Sequence, residues 1–350
     1  MNVDIQQAMD RYMIPAANFS IIENFEIIAT NAFSRHEAVS VNGESRFQAC
    51  SLSKSLTAVA ILLLLKQGRI DLDAPISNRF ALNGSYVTAR HCLSMTSGLS
   101  YGQPGTPIPT YKQEDPLPTV QQILDGAYPA KNPPIVCSST PGILCKYSGA
   151  GFMVLQKLIE DVTQLPFATF MRENILIPLN MTHSTFECPL AEGRENAVPG
   201  FDKNVGRLNG DFDNNPYSAS GGLWSTTSDI ANFMIAISNA YLGKDNLFLS
   251  RALVQLMLTQ QENSDFALGF VVDGKNATFN FRKNGHNNAY HCQLLMFPNT
   301  GQGIVIMTNS ALGIHLINDV IAQTAAQYQW PHYSPDFDEL EITKNVVFKL

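Results

Sequence analysis

The pattern of apolar positions defines three different segments in the first 68 residues of the chain. VDIQQAMDRYM, residues 3–13, has apolar residues at helical spacing, which predicts a helix. NFSIIENFEIIATNAF, residues 18–33, predicts two short strands that turn at Glu23 and Asn24. Residues 51–67 then become apolar on every side, which predicts a buried helix that ends at Gly68.

The last third of the chain consists of short apolar segments separated by Gly, Asn and Pro. FALGFVVDG, ATFNFRKNG, AYHCQLLMFP and GQGIVIMTNS predict successive strands, and GIHLINDVIAQTAAQYQW predicts a closing helix. Strands at both ends with helices between them predict an α/β (α+β) fold. In this fold both termini build one antiparallel sheet that helices flank, and a mainly helical lobe is inserted between them.

The same pattern suggests how the chain is divided. We expect one unit over residues 1–330, with a sheet lobe at about 1–75 and 220–330 and a helical lobe at about 76–219. Residues 100–146 are rich in Pro, Gly and Thr and predict a long irregular segment across the surface. Residues 331–350 form a tail that the pattern does not place.

Composition excludes several classes of protein. The net charge is −7 and charged residues make up 15% of the 350, so no basic stripe is available for nucleic-acid phosphates. We therefore expect no nucleic-acid partner. No apolar run approaches the roughly 18 residues of a membrane span, and the first residues lack the pattern of an export signal. We expect no integral membrane segment.

The six cysteines form no Cys-x-x-Cys pair, which argues against a zinc module. Cys137 and Cys145 flank a Ser-Ser-Thr-Pro-Gly turn. Two alternatives stay open for them: a hairpin disulfide in an oxidising compartment, or two free thiols.

The polar start of the apolar helix raises a chemical hypothesis. FQACSLSKSLTA places Ser51 and Lys54 three residues apart, so that both side chains lie on one helical face. Burial and the positive end of the helix dipole both disfavour an ammonium there, which would make Lys54 a neutral amine next to a hydroxyl. Such a pair suits a nucleophilic serine.

Two further motifs follow in order: Tyr147, Ser148 and Gly149 before a helical stretch, and a Lys-x-Gly in FRKNGHN on a late strand. Ser-x-x-Lys, a Tyr motif and then Lys-x-Gly resembles the order in serine β-lactamases and penicillin-recognising D,D-peptidases. The chain is most similar to the class C β-lactamase branch with its esterase and peptidase relatives. HCLSMTSGLS, SASGGLWSTTSDIANFM and GQGIVIMTNS add to the resemblance, which covers roughly residues 15–330.

The resemblance implies a role for each motif residue. Ser51 would attack an acyl carbonyl, Lys54 would activate it, and Tyr147 would relay the proton to the leaving group. Backbone N–H groups of Ser51 and His286 would form the oxyanion hole. The resemblance assigns substrate binding to four residues: Ser148, Lys283, Gly285 and His286.

Three departures from the family pattern bear on these roles. Gly149 stands where the Tyr motif often has Asn, so an amide side chain that would contact substrate is missing. Asn284 replaces the Thr that is usual between Lys and Gly. In a second register, found in esterase-like relatives, His286 would take the place of Lys283 as the cleft residue, and Ala289 would supply the oxyanion N–H.

Two competing motifs are weaker. GLSYG is a Gly-x-Ser-x-Gly match centred on Ser100, but QPGTPIPTYK after it cannot form the helix that a nucleophile elbow needs. His286 and His291, with Cys292 nearby, suggest a metal site. Residues five apart on one strand point to opposite faces, so we expect no metal site there.

The expected function is a serine hydrolase that forms an acyl-enzyme on Ser51 and acts on ester, amide or peptide substrates. Such chemistry requires no cofactor, and its partner is a small-molecule or peptide substrate. The alternatives are a class C-like β-lactamase or D,D-carboxypeptidase, and a penicillin-binding sensor or scaffold without turnover. We expect residues 100–146 and 187–219 to be the cleft loops that set the substrate. The resemblance favours a periplasmic or secreted location.

Overall fold

The computed structural model describes residues 5–35, 39–103, 108–191, 193–244 and 248–331. Of the C-terminal tail, residues 332–350 lie outside this part of the chain. The longest strands among the described residues lie near the two ends of the chain, with most of the helices between them, as the sequence pattern predicts.

The strands differ widely in length, and only those at the two ends of the chain build the main sheet. They are β1 Ala16–Glu23, β2 Glu26–Ser34, β3 Phe47–Gln48, β4 Ala81–Leu82, β5 Ser85–Tyr86, β6 Leu99–Tyr101, β7 Ile135–Cys137, β8 Trp224–Ser225, β9 Val271–Asp273, β10 Asn280–His286, β11 His291–Phe297 and β12 Gln302–Thr308.

The helices cover the sheet and fill the middle of the chain. They are α1 Ile5–Tyr12, α2 Ser53–Lys66, α3 Ala89–Leu93, α4 Val120–Asp125, α5 Gly149–Thr163, α6 Phe167–Met171, α7 Ser218–Gly221, α8 Thr227–Leu242, α9 Arg251–Met257 and α10 Ile314–Gln327.

The main sheet has six strands in the order β2-β1-β12-β11-β10-β9, and every neighbouring pair is antiparallel. The first and last parts of the chain meet where β1 pairs with β12, for example at Ile21 opposite Ile304. The predicted fold class, with a sheet built from both termini, is therefore confirmed.

Both faces of the sheet are covered, because apolar side chains on each face pack into a separate core. The larger core includes α2, α5 and α8, and the smaller one includes α1 and α10. β1 is consequently buried along all of its residues except Glu23. Within the described part of the chain, no helix is long and apolar enough to span a bilayer.

The predicted buried helix is α2, in which eleven of fourteen residues are buried. It ends where expected, since Gly68 has a left-handed φ of +67° just past its last turn. Its start differs from the prediction by two residues. Ser51 lies in a short 3-10 turn, Cys50–Leu52, and the α-helix begins at Ser53.

The structure distinguishes between the two alternatives for Cys137 and Cys145 and describes most of the predicted irregular segment, residues 100–146. Cys137 and Cys145 are free thiols. Their sulfur atoms have different neighbours, because Cys137 Sγ lies 3.3 Å from the Ser139 carbonyl and Cys145 Sγ lies 3.5 Å from Ser264 Oγ. The described part of residues 100–146 is mostly irregular, as predicted, and is interrupted by α4 and β7.

Candidate active site

The segment before Ser51 is fixed by backbone pairing. β3 pairs with β8, and the Ala49 N–H extends this ladder by donating to the Leu223 carbonyl at 2.8 Å. Cys50 then takes a left-handed φ of +49°, which is uncommon for a residue other than glycine and is typical of functional sites. The buried Ser53 hydroxyl locks the turn by donating to the Cys50 carbonyl at 2.6 Å.

The predicted contact between Ser51 and Lys54 is present. Lys54 is only 2% exposed, and its Nζ lies 3.1 Å from Ser51 Oγ. The same nitrogen lies 2.5 Å from the Ser220 carbonyl oxygen and 3.1 Å from Ser220 Oγ. Because a buried amine needs polar partners to offset the loss of water, these oxygens stabilise it in this place.

Tyr147 reaches the same hydroxyl from the segment that precedes α5. Its hydroxyl donates to Ser51 Oγ at 2.7 Å. Lys54 Nζ lies 5.1 Å and Lys283 Nζ 4.9 Å from the centre of its ring, so both lysine nitrogens lie close to one phenol ring. The fold therefore brings Ser51, Lys54 and Tyr147 together, with Lys283 adjacent to them.

The β10 residues are placed differently from one another. Lys283 is fully buried and packs on the Phe266 ring as well as on Tyr147. Gly285 allows the strand to approach the start of α2. A Cβ built on Gly285 would lie 2.6 Å from the Ala49 carbonyl oxygen and 3.0 Å from the Ser51 nitrogen, which any larger residue would disturb.

Ser148 and His286 complete the set of residues assigned from sequence. The Ser148 hydroxyl donates to the Leu99 carbonyl at 2.6 Å, so it ties the start of α5 to β6. His286 is exposed and lines the cleft. The assignment of these residues to substrate binding stays a prediction.

His286 and His291 lie on the same face of the sheet, so the prediction that they point to opposite faces is wrong. A tight turn separates them, so they lie on two strands, as directly opposed residues of β10 and β11. Directly opposed residues share a face, and their rings stack with centres 5.3 Å apart. Even so, no group of three or more His, Cys, Asp or Glu side chains suited to a metal ion occurs among the described residues.

Ser100 lies in the middle of β6 and not at an elbow between a strand and a helix. Its hydroxyl donates to the Gly102 carbonyl at 2.9 Å, and its Oγ also lies 3.2 Å from Ser138 Oγ. The next described helix, α4, begins only at Val120. The Gly-x-Ser-x-Gly match is therefore part of a short strand that pairs with β7.

The cleft above Ser51 has a volume of about 390 Å³ and a lining rich in amides. Both predicted loops contribute to it, through Ile108 to Thr110 and through residues 213–217. We call one group of its lining residues the polar wall: Gln48, Asp213, Asn214, Asn215, Asn287 and Asn288.

The polar wall is hydrogen-bonded within itself and to one lysine. The buried Asp213 carboxylate accepts from Lys112 Nζ at 2.7 Å and from Asn288 Nδ2 at 3.2 Å. Gln48 donates to the Asp213 backbone carbonyl at 2.8 Å and accepts from Asn287 Nδ2 at 2.6 Å. No sequence motif marks these residues individually, because they come from three distant segments and have no fixed spacing.

A further tyrosine lines the cleft beside the polar wall. Burial raises the pKa of Tyr217 well above its ordinary value, with the nearby Tyr111 hydroxyl adding to the shift. Its hydroxyl donates to Asn132 Oδ1 at 3.0 Å. Tyr217 is thus a neutral hydrogen-bonding group, and Tyr147 is the phenol that contacts Ser51.

The chain is similar to known proteins over most of its length. A family model described as Beta-lactamase matches residues 2–325, so the chain belongs to the Beta-lactamase family. The resemblance read from the three motifs is therefore confirmed. The chain is 25% identical over 346 residues to the putative penicillin-binding protein PbpX of Bacillus subtilis (strain 168), with 93% of this chain and 80% of that protein covered.

Other relatives are longer, and solved structures show the same fold. The match to Staphylococcus aureus protein flp covers 41% of that protein at 22% identity and 56% of this chain. The structure of the octameric penicillin-binding protein homologue from Pyrococcus abyssi has a TM-score of 0.73 at 20% identity, covering 96% of this chain and 79% of that one. The structure of a D-stereospecific amidohydrolase from Streptomyces sp. has a TM-score of 0.66 at 20% identity, covering 88% of this chain and 94% of that one. The protein has the fold of the β-lactamase and penicillin-binding serine hydrolases.

Proposed function

We propose that the protein is a serine hydrolase that forms an acyl-enzyme on Ser51 and acts on esters, small amides or peptides. One observation carries this proposal: at the cleft, Ser51 Oγ contacts both the Tyr147 hydroxyl, at 2.7 Å, and Lys54 Nζ, at 3.1 Å. A serine hydroxyl is a weak nucleophile until a neighbouring group takes its proton, and two such groups are in contact with it.

The reaction then runs in two halves. Ser51 Oγ bonds to the substrate carbonyl carbon while its proton moves to Lys54. The bond from that carbon to the leaving oxygen or nitrogen breaks, and the proton reaches the leaving group through Tyr147. Water then attacks the ester on Ser51 with the same groups moving the proton in reverse, which releases the acid and restores the hydroxyl.

Backbone N–H groups just before α2 and at the end of β10 stabilise the oxyanion that forms when Ser51 attacks the carbonyl carbon. We assign this role to the N–H groups of Ser51 and His286, because Gly285 brings β10 against the Ser51 nitrogen. The Ala289 N–H, the donor in the alternative register, is already bonded to Asn287 Oδ1 at 2.9 Å. The register with Lys283, Gly285 and His286 is therefore the one we propose.

The charge of the cleft favours substrates without a free carboxylate. Lys54 is the only Lys or Arg among the described residues that line the cleft, and it is nearly buried. Lys283 is covered completely. β-Lactams and D,D-carboxypeptidase substrates carry a carboxylate that an exposed cation would attract, so we rank esters and small neutral amides first.

Labelling with a fluorophosphonate probe, followed by peptide mapping, tests the nucleophile. We expect one label on Ser51, no label in Ser51→Ala, and full labelling in Ser100→Ala, the matched control for the competing motif. A label on Ser100, or an unlabelled wild-type protein that is folded, would contradict the proposal.

A substrate screen then separates the possible activities. We expect turnover of activated esters and of D-amino-acid amides to exceed that of a D-alanyl-D-alanine peptide or a penicillin. The second candidate is a penicillin-binding protein without turnover, which the missing side chain at Gly149 favours. Stable acylation by penicillin, with no turnover of any ester, would support this second candidate instead.

A further inference from the structure

A side chain at position 149 would need the same small space beside Lys54 that the Ser220 hydroxyl occupies. A Cβ built on Gly149 would lie 2.8 Å from Ser220 Oγ and 3.2 Å from Ile108 Cδ1. Gly149 is not in a left-handed conformation, so its backbone would accept a side chain. The Ser220 hydroxyl fills the position that such a side chain would need.

Ser220 contacts Lys54 through two atoms. Its carbonyl oxygen lies 2.5 Å and its Oγ 3.1 Å from Lys54 Nζ. A neutral amine has two N–H donors and one lone pair. If both N–H groups donate to Ser220, the lone pair can face Ser51 Oγ, which lies 3.1 Å from Nζ.

We propose that Ser220 is a positioning residue, whose hydroxyl and carbonyl hold the Lys54 amine with its lone pair toward the Ser51 hydroxyl. This inference rests on the proposed acyl-enzyme function. Lys54 then accepts the Ser51 proton without first having to rotate, which is the benefit of a preorganised base.

The helix that carries Ser220 is itself fixed on both sides. The Ala219 carbonyl accepts from Thr57 Oγ1 in α2 at 3.0 Å, and the Ala219 N–H donates to Gln156 Oε1 in α5 at 3.2 Å. Both partners are buried. The backbone beside Ser220 is thus held relative to the helix on which Lys54 lies.

The first experiment compares Ser220→Ala with Ser218→Ala by the rate at which a fluorophosphonate or an activated ester acylates Ser51. Ser218 is the matched control, because it lies on α7 but lines a different depression from the cleft. We expect Ser220→Ala to slow acylation by roughly tenfold, the size expected for one hydrogen bond to a reacting group, with KM nearly unchanged. Ser218→Ala should keep the wild-type rate.

The second experiment restores an acceptor from the opposite side. Gly149→Asn alone should slow acylation, because its side chain meets Ser220 Oγ. In the Ser220→Ala background the space is open, and the amide oxygen of Asn at position 149 should accept from Lys54 and recover at least about threefold of the lost rate. Gly149→Asn would then slow acylation in the wild-type background and speed it in the Ser220→Ala background. A residue that only supports the fold would not give these opposite effects.

The outcomes separate this inference from the proposed function. If the wild-type protein is not labelled on Ser51, the proposed function fails. If it is labelled and Ser220→Ala reacts at the same rate, or if Gly149→Asn harms both backgrounds equally, the positioning role is overturned. Should Ser220→Ala prove unstable, Ser220→Cys keeps the volume with a weak acceptor, and a wild-type rate in that variant would equally overturn the role.

Discussion

The two sides of the cleft are built in different ways. One side is the reactive floor, made of Ser51, Lys54, Tyr147 and Ser220. Short contacts to two atoms, Ser51 Oγ and the buried Lys54 Nζ, hold these residues together. Apart from Gln48 on β3, the polar wall comes from a loop and the β10–β11 turn, and part of it, such as Asn288, is exposed. The reacting atoms are thus held by α2, α7 and the start of α5, while most of the polar wall is in loops, which can vary without disturbing the chemistry.

Removing the amine from the floor should have the largest effect. Lys54→Met keeps the volume of the side chain but removes the proton acceptor, and we expect acylation of Ser51 to slow by about a thousandfold. Lys66→Met, at the exposed end of the same helix, is the control and should leave the rate unchanged. A loss below about tenfold would mean that Tyr147 alone takes the proton.

Adding one methyl group where β10 meets the floor should have the next largest effect. In Gly285→Ala the new Cβ would lie 2.6 Å from the Ala49 carbonyl oxygen, so the strand must move away from Ser51. We expect acylation to slow by at least about tenfold and the free energy of unfolding to fall by about 1–3 kcal/mol.

Gly43→Ala is the matched control for that change. A Cβ on Gly43 would have its nearest neighbour, the Thr30 methyl group, at an ordinary 3.6 Å. Thermal unfolding and labelling of both variants test the prediction. Equal effects of the two substitutions would show that the approach of β10 to Ser51 is not critical.

The same contrast explains which features could be predicted from the sequence. Ser51 and Lys54 are one helical turn apart, so local spacing is sufficient to predict their contact. The sheet strands and α2 follow from hydrophobic periodicity. Ser220 and Asp213 reach the cleft only through the tertiary fold, 166 residues from Lys54 in the case of Ser220, and no local pattern marks them. The prediction for His286 and His291 is wrong because it places both on one strand, although the same sequence predicts separate strands before and after residues 286–288.

The polar wall should affect recognition rather than chemistry. Asp213→Asn keeps the shape and removes the negative charge, so KM for acyl donors with an ammonium group should rise by about threefold to tenfold. Lys112 already offsets part of that charge, which limits the effect. We expect KM for neutral esters and kcat for both classes to stay the same.

Asp125→Asn is the control for Asp213→Asn, because Asp125 pairs with Arg79 and does not line the cleft. Steady-state kinetics with one neutral and one cationic ester of the same leaving group give the comparison. A fall in kcat for the neutral ester of Asp213→Asn would place Asp213 in the reactive floor and remove the distinction between the two sides.

The smallest effect should come from the exposed edge of the polar wall. Asn288→Ala removes one donor to the Asp213 carboxylate, a 3.2 Å hydrogen bond next to solvent, so water can replace it and KM should change by about twofold or less. If Asn288 acts only by orienting Asp213, adding Asn288→Ala to Asp213→Asn should cause no further change in KM for the cationic ester. An additional effect on both esters would instead mean that Asn288 contacts the substrate directly, and the recognition surface would then extend along the β10–β11 turn.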